Sequence, residues 1–175
     1  EYSLMAGESA LATYAFGEAL IRFRRVLSAK TNLPEDSETA AALFGLARAQ
    51  EATLPRQQLG AAFDSMSRAF DIYAAMGNGS GAVRVAEFAL VQAWERNDGV
   101  ELIDRALQLV PPGSPEAGRL LSRHVLAKGL GGGDYEGAKE AMEGALAVAQ
   151  RSGDLRPEMP ILAHFSLVDF WHLQW

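Results

Sequence analysis

One residue pattern returns four times along this chain and limits its fold more than anything else in it. Its clearest copy is Tyr135, then Ala138, then Met142, then Ala145-Leu146: an aromatic, a small residue, a large apolar one, and a small-large pair. The same frame reads Phe16, Ala19, Phe23, Val26-Leu27, and again Leu59, Ala62, Met66, Ala69-Phe70. A looser copy runs Gly99, Ile103, Ala106-Leu107. Steps of three and four place these side chains on one face of an α-helix, since 3.6 residues make a turn. The equivalent positions Val26, Ala69, Ala106 and Ala145 lie 43, 37 and 39 residues apart. A period near forty, with room for two helices per repeat, belongs to architectures in which each unit buries the face its neighbour leaves open.

Composition points the same way. The 175 residues include 30 alanines and 22 leucines against 17 valines, isoleucines and threonines together. Alanine and leucine lose little on entering a helix, whereas β-branched side chains lose χ1 freedom there. No segment alternates apolar and polar residues for long enough to make a half-buried strand. The fold class is all-α.

Helix-ending and helix-starting residues divide the chain. A bend near Tyr14 and Ala15 splits the first 30 residues into two helices. Ser37 is positioned to cap a helix running to about Ala52, and Pro55 suits the first turn of the next. Met76 to Gly81 is a break, with Ser80 as cap for a segment from Ala82 to about Trp94. Asp98 and Glu101 have capping-box spacing, and Ser114-Pro115-Glu116 supplies a cap, a first-turn proline and an acid at the positive end of the helix dipole. Gly131-Gly132-Gly133-Asp134 ends one helix and caps another that stops at Ser152-Gly153-Asp154, and a last helix covers about Glu158 to Trp175. The units are therefore 1–30, 37–78, 80–111, 114–153 and a partial 154–175: about four helix pairs, eight helices in all, open at the C-terminal end.

These units resemble the tetratricopeptide repeat. Tyr135 to Leu146 and Phe16 to Leu27 fit the frame of that family's second helix, and Phe44-Gly45 is similar to a step in its first. Spacings longer than the family's usual repeat, with Met76-Gly77-Asn78 and Ser152-Gly153-Asp154 closing second helices, look like the divergent repeats of large bacterial signalling ATPases. Among these are transcriptional activators of the maltose-regulator and LuxR types. The resemblance implies one α-solenoid domain over residues 1–175, a piece of a longer cytoplasmic regulatory protein. It implies a concave surface that takes a peptide or a partner domain, including another domain of the parent chain; the alternative role is a small-ligand sensor. Carried through the frame, the groove positions are Arg84, Phe88 and Gln92, then Arg123 and Ala127, then Phe165, Asp169 and His172.

The remaining chemistry is sparse. With no cysteine, thiolate nucleophiles, disulfides and Cys-type zinc sites are excluded. A net charge of −6 disfavours generic binding to nucleic acid or anionic membranes. No uninterrupted apolar run is long enough to span a bilayer. The glycines from Gly129 to Gly133 lack the Lys and Ser or Thr of a phosphate loop, and Asp134 would repel phosphate, so they read as a helix-to-helix turn. His124, His164 and His172 do not make a metal-binding spacing, and they read as surface or groove residues without metal or cofactor. Arg22, Arg24, Arg25 and Lys30 read as a solvated face, with Glu18 one turn before Arg22 to pair with it. No nucleophile motif is present, so no enzyme is expected. If Arg84 and Arg123 are not used for binding, nearby acids such as Glu87 and Glu116 are their expected partners. Phe165, Phe170, Trp171 and Trp175 crowd aromatic surface onto the last helix, which predicts self-association there.

Overall fold

A computed structural model describes residues 2–88, 98–153 and 156–173 of the chain. Among the described residues there are nine α-helices and no strand, one helix more than the eight expected. The extra one is the half-unit at the C-terminus, Glu158–Trp171, which the sequence marks as a helix but a count of four pairs leaves out. None of the helices is long and apolar enough to cross a membrane. The chain divides into two compact units, Glu1–Val85 and Ala86–Trp175.

In the first unit α1 (Tyr2–Ala12) and α2 (Phe16–Ala29) are joined by a tight turn in which Tyr14 adopts φ 59°. The Ala15 N–H reaches back to the Ala10 carbonyl at 2.8 Å, which satisfies an otherwise orphaned helix-end acceptor. Helix α3 (Ser37–Thr53) is capped by Asp36 rather than Ser37: the Asp36 Oδ1 accepts from the Thr39 N–H at 2.9 Å. Asp36 also accepts from Lys30 Nζ at 2.6 Å, and these bonds hold its carboxyl down at about 2. Pro55 precedes a single 3₁₀ turn, Arg56–Gln58, and α4 begins only at Gly60, running to Ala75. Asn78 is the residue whose side chain caps α5 (Gly79–Glu87), accepting from the Gly81 N–H at 3.0 Å. The expected extension of that helix to Trp94 lies outside the described residues.

Helix α2 packs on α1 and α3, α1 also touches α3, and α3 packs on α4. Phe23 is the reason α1, α2 and α3 fit together. Its ring is fully buried between Gly7 of α1 and Gly45 of α3. A Cβ on Gly7 would sit 2.7 Å from the ring, and one on Gly45 would lie closer still. Leu59 just before α4 and the frame positions Ala62, Met66, Ala69 and Phe70 within it are all buried too.

The second unit contains α6 (Asp98–Leu107), α7 (Pro115–Leu126), α8 (Tyr135–Ser152) and α9 (Glu158–Trp171). Ser114 caps α7, taking the Ala117 N–H at 3.1 Å, with Pro115 in the first turn. Beyond Leu126 the helix widens into a π turn, Ala127–Gly132, closed by Gly133 at φ 65°. Asp134 then caps α8 through the Gly137 N–H at 2.9 Å. Helices α6 and α7 pack together, α7 and α8 form a close pair, and α9 lies against both members of that pair. Ala138, Ala141 and Ala145 keep α8 thin enough for this, and Val125, Ile161 and Val168 fill the space between helices.

Candidate functional site

The α7–α8–α9 arrangement leaves a groove of about 660 Å³ along the second unit. Pro115, Gly118, Arg119, Ser122 and Arg123 line it from α7 at steps of three and four, so a single helix face supplies that wall. Gly118 keeps the wall shallow where Val148 of α8 approaches; a Cβ there would lie 2.8 Å from a Val148 methyl. The floor is apolar, formed by Ala145, Val148, Ala149 and Ile161. Arg156, Pro157, Pro160 and His164 complete the far side.

The rim is cationic. Three arginines line the groove against one described carboxylate, that of Glu87. Arg119 Nε donates to Glu87 Oε1 at 2.8 Å, and its Nη2 donates to Glu116 Oε1 at 3.2 Å. Glu116 stands in the first turn of α7, where a backbone hydrogen bond and then Arg119 hold its carboxyl below the usual range. Glu87 and Glu116, expected to serve Arg84 and Arg123, thus pair with Arg119 instead. Arg123 has no carboxylate partner among the described residues. His164 Nδ1 lies 3.0 Å from the Ser122 carbonyl oxygen, a geometry that places the ring proton on Nδ1. Burial lowers the His164 pKa, with the Ser122 carbonyl bond opposing and Arg123 adding a smaller lowering.

The sequence-predicted positions separate into distinct places. Arg123 alone lines the groove. Arg84 is exposed on α5 within the first unit, Phe88 is half-buried, and Gln92 lies outside the described residues. Ala127 begins the π turn. Phe165, Asp169 and His172 do come together, around Tyr135. The Tyr135 hydroxyl donates to Asp169 Oδ1 at 2.9 Å, and its ring packs on Phe165 and His172. That bond to Asp169 also raises the Tyr135 pKa. His172 Nε2 donates to the Gly129 carbonyl in the π turn at 2.8 Å. These contacts seat α9 on α8 and the π turn.

His124 is not a surface or groove residue. It is 3 % exposed, with Nε2 3.4 Å from Asp104 Oδ1, and has no hydrogen-bond partner for that nitrogen among the described residues. On the outer side of α9, Phe170 and Trp171 are 60 % and 53 % exposed, while Trp175 lies outside the described residues. Sequence reasoning passed over Arg119 and Arg156, while His164, read as a surface or groove residue, does line the groove. The four-residue step from Arg119 to Arg123 was the available signal, since it puts both guanidinium groups on one face of α7.

No protein-family model matches the chain, and no curated protein matches it either.

Proposed function

We propose that this chain is a non-catalytic interaction module of a regulatory protein, a stack of tetratricopeptide-like helix pairs that captures an acidic peptide segment of a partner in the groove of its second unit. The observation that carries the reading is the groove itself: an apolar floor under a cationic rim, in a chain whose net charge is −6. Buried apolar floors supply affinity, and forked guanidinium groups supply selection for carboxylates. The repeated frame supports the stacked arrangement, because its small positions, Ala19, Ala62, Ala69, Ala106, Ala138 and Ala145, are buried in both units. So do the contacts of α1 with α2 and α3 in the first unit and of α7 with α8 and α9 in the second.

The test uses fluorescein-labelled decapeptides of leucine with glutamate, glutamine or lysine, read by anisotropy. The glutamate peptide binds, the lysine peptide does not, and Arg123→Ala lowers glutamate-peptide affinity roughly tenfold, as loss of a charge-assisted bond predicts. Equal binding of all three peptides, or unchanged binding by a folded Arg123→Ala variant, overturns the proposal. A groove of about 660 Å³ is also of the size that encloses a small ligand. A melting temperature raised by a small carboxylate but not by the peptides gives the sensor role instead.

A further inference from the structure

Arg119 and Arg123 stand one turn apart on the same wall of the groove, yet their charges are disposed differently. Arg119 carries two carboxylates, Glu87 at 2.8 Å and Glu116 at 3.2 Å, while Arg123 has none among the described residues. Glu116 belongs to the first turn of α7 itself, three residues before Arg119, and stays with its helix. Glu87 comes from the end of α5, and it alone of the two carboxylates lines the groove.

Resting on the peptide-capture reading above, we propose that Glu87 is the groove's built-in counter-ion: it holds Arg119 in the free protein and yields that guanidinium to a second acidic side chain of the bound segment. The first acidic side chain meets Arg123 without a competitor among the described residues. The second must displace Glu87. Affinity for a segment with two acids is therefore held down by an internal rival, and affinity for a segment with one acid is not. Arg119 keeps half of its side chain exposed while paired, so a ligand carboxylate can reach it without the helices separating. An exposed pair of this kind is weak enough to exchange, being of the order of a few-fold in an equilibrium constant.

The experiment compares two labelled hexapeptides of leucine, one with two glutamates and one in which the second glutamate is replaced by glutamine. Binding is read by anisotropy for the wild type and for E87Q, E87A and R119Q, each checked for an unchanged circular-dichroism melt. The expected result is that E87Q and E87A bind the two-acid probe roughly two- to fivefold tighter and the one-acid probe as before. R119Q should bind both probes alike. A general change of field would tighten both probes together in E87Q, and that outcome overturns the exchange. So does Arg123-dependent binding of the two-acid probe that E87Q leaves unaltered, with the capture reading still standing. Arg123-independent binding, or none by any variant, removes both.

Discussion

The two units solve the same packing problem in different ways. In the first, α1, α2 and α3 close around one large side chain, Phe23, whose ring fills the notch left by Gly7 and Gly45. Several charges of that unit are paired: Arg48 with Glu8 at 3.1 Å, Arg22 with Glu18 at 2.6 Å, and Lys30 with Asp36 and Glu38 at 2.6 and 2.9 Å. In the second unit α9 is seated by a small residue, Val168 over Gly129, and by polar bonds from Tyr135 to Asp169 and from His172 to Gly129. Small side chains and directional bonds fix α9 on the α7–α8 pair and leave a groove along α7, α8 and the start of α9. The groove is what they leave. An apolar plug locks three helices together around one ring, whereas a thinner, partly polar joint leaves a groove beside it.

The sharpest way to break this contrast is to remove the plug. Phe23→Ala deletes a fully buried ring and should cost roughly 3–5 kcal/mol, against about 2 kcal/mol for Val168→Ala, measured by urea unfolding followed by circular dichroism. Gly45→Ala sharpens it further. Alanine gains about 1 kcal/mol over glycine in a helix, yet its Cβ would collide with a ring that has no room to retreat, so the net change is destabilising. In a Phe23→Leu background the collision eases and the same substitution should become neutral or favourable. Additive losses in the double variant would mean that Phe23 does not sit in the glycine notch as described.

A second difference is acid sensitivity, because all three histidines fall in the second unit. His124 is held down at about 4 from 6.5, first by burial and further by Lys128, with Asp104 and Asp134 opposing. Its folded-state pKa lies below its unfolded one, so between those values the unfolded chain binds a proton that the folded chain refuses. Stability is therefore full above about pH 6.5 and falls as pH drops toward 4, by up to ~3 kcal/mol for this group. His124→Leu should flatten that part of the stability-against-pH curve. A slope that survives the substitution would place the acid-sensitive group elsewhere.

How much of this could be read from the residues alone depends on whether a feature is local. The frame positions and the Ser114 and Asp134 caps follow from neighbours within four residues, and each was legible. Asp36 displaced Ser37 as a cap because both are competent and only Asp36 can also take Lys30. The π turn was not legible as such. Its widened register coincides with Gly129 meeting Val168, 39 residues further on. The burial of His124 likewise depends on how α7 is packed, and α7 alone cannot reveal that. For the site, Arg123 was named in advance and His164 was placed on a surface or in a groove, but the acids expected for Arg123 were assigned wrongly: Glu116 pairs with Arg119 within α7 and Glu87 reaches Arg119 through helix packing.

The smallest expected effect concerns the joint itself. His172 closes the C-terminal end of α9, its Nε2–H donating to the Gly129 carbonyl at 2.8 Å, and π-turn carbonyls of this kind have few alternative donors inside the protein. His172→Ala removes one neutral hydrogen bond and part of the ring contact with Tyr135, for a loss of about 1 kcal/mol. That is too little to unfold the unit, so the change should appear locally, as faster amide hydrogen exchange over the last two turns of α9 with α2 and α3 unaffected. If the polar joint is what holds α9 beside the groove, the same variant should also weaken binding of the glutamate peptide modestly, since His164 and Pro160 ride on that helix. Unchanged exchange along α9 would show that Val168 and Ile161 hold the helix by apolar contact alone. The second unit would then be built on the same principle as the first.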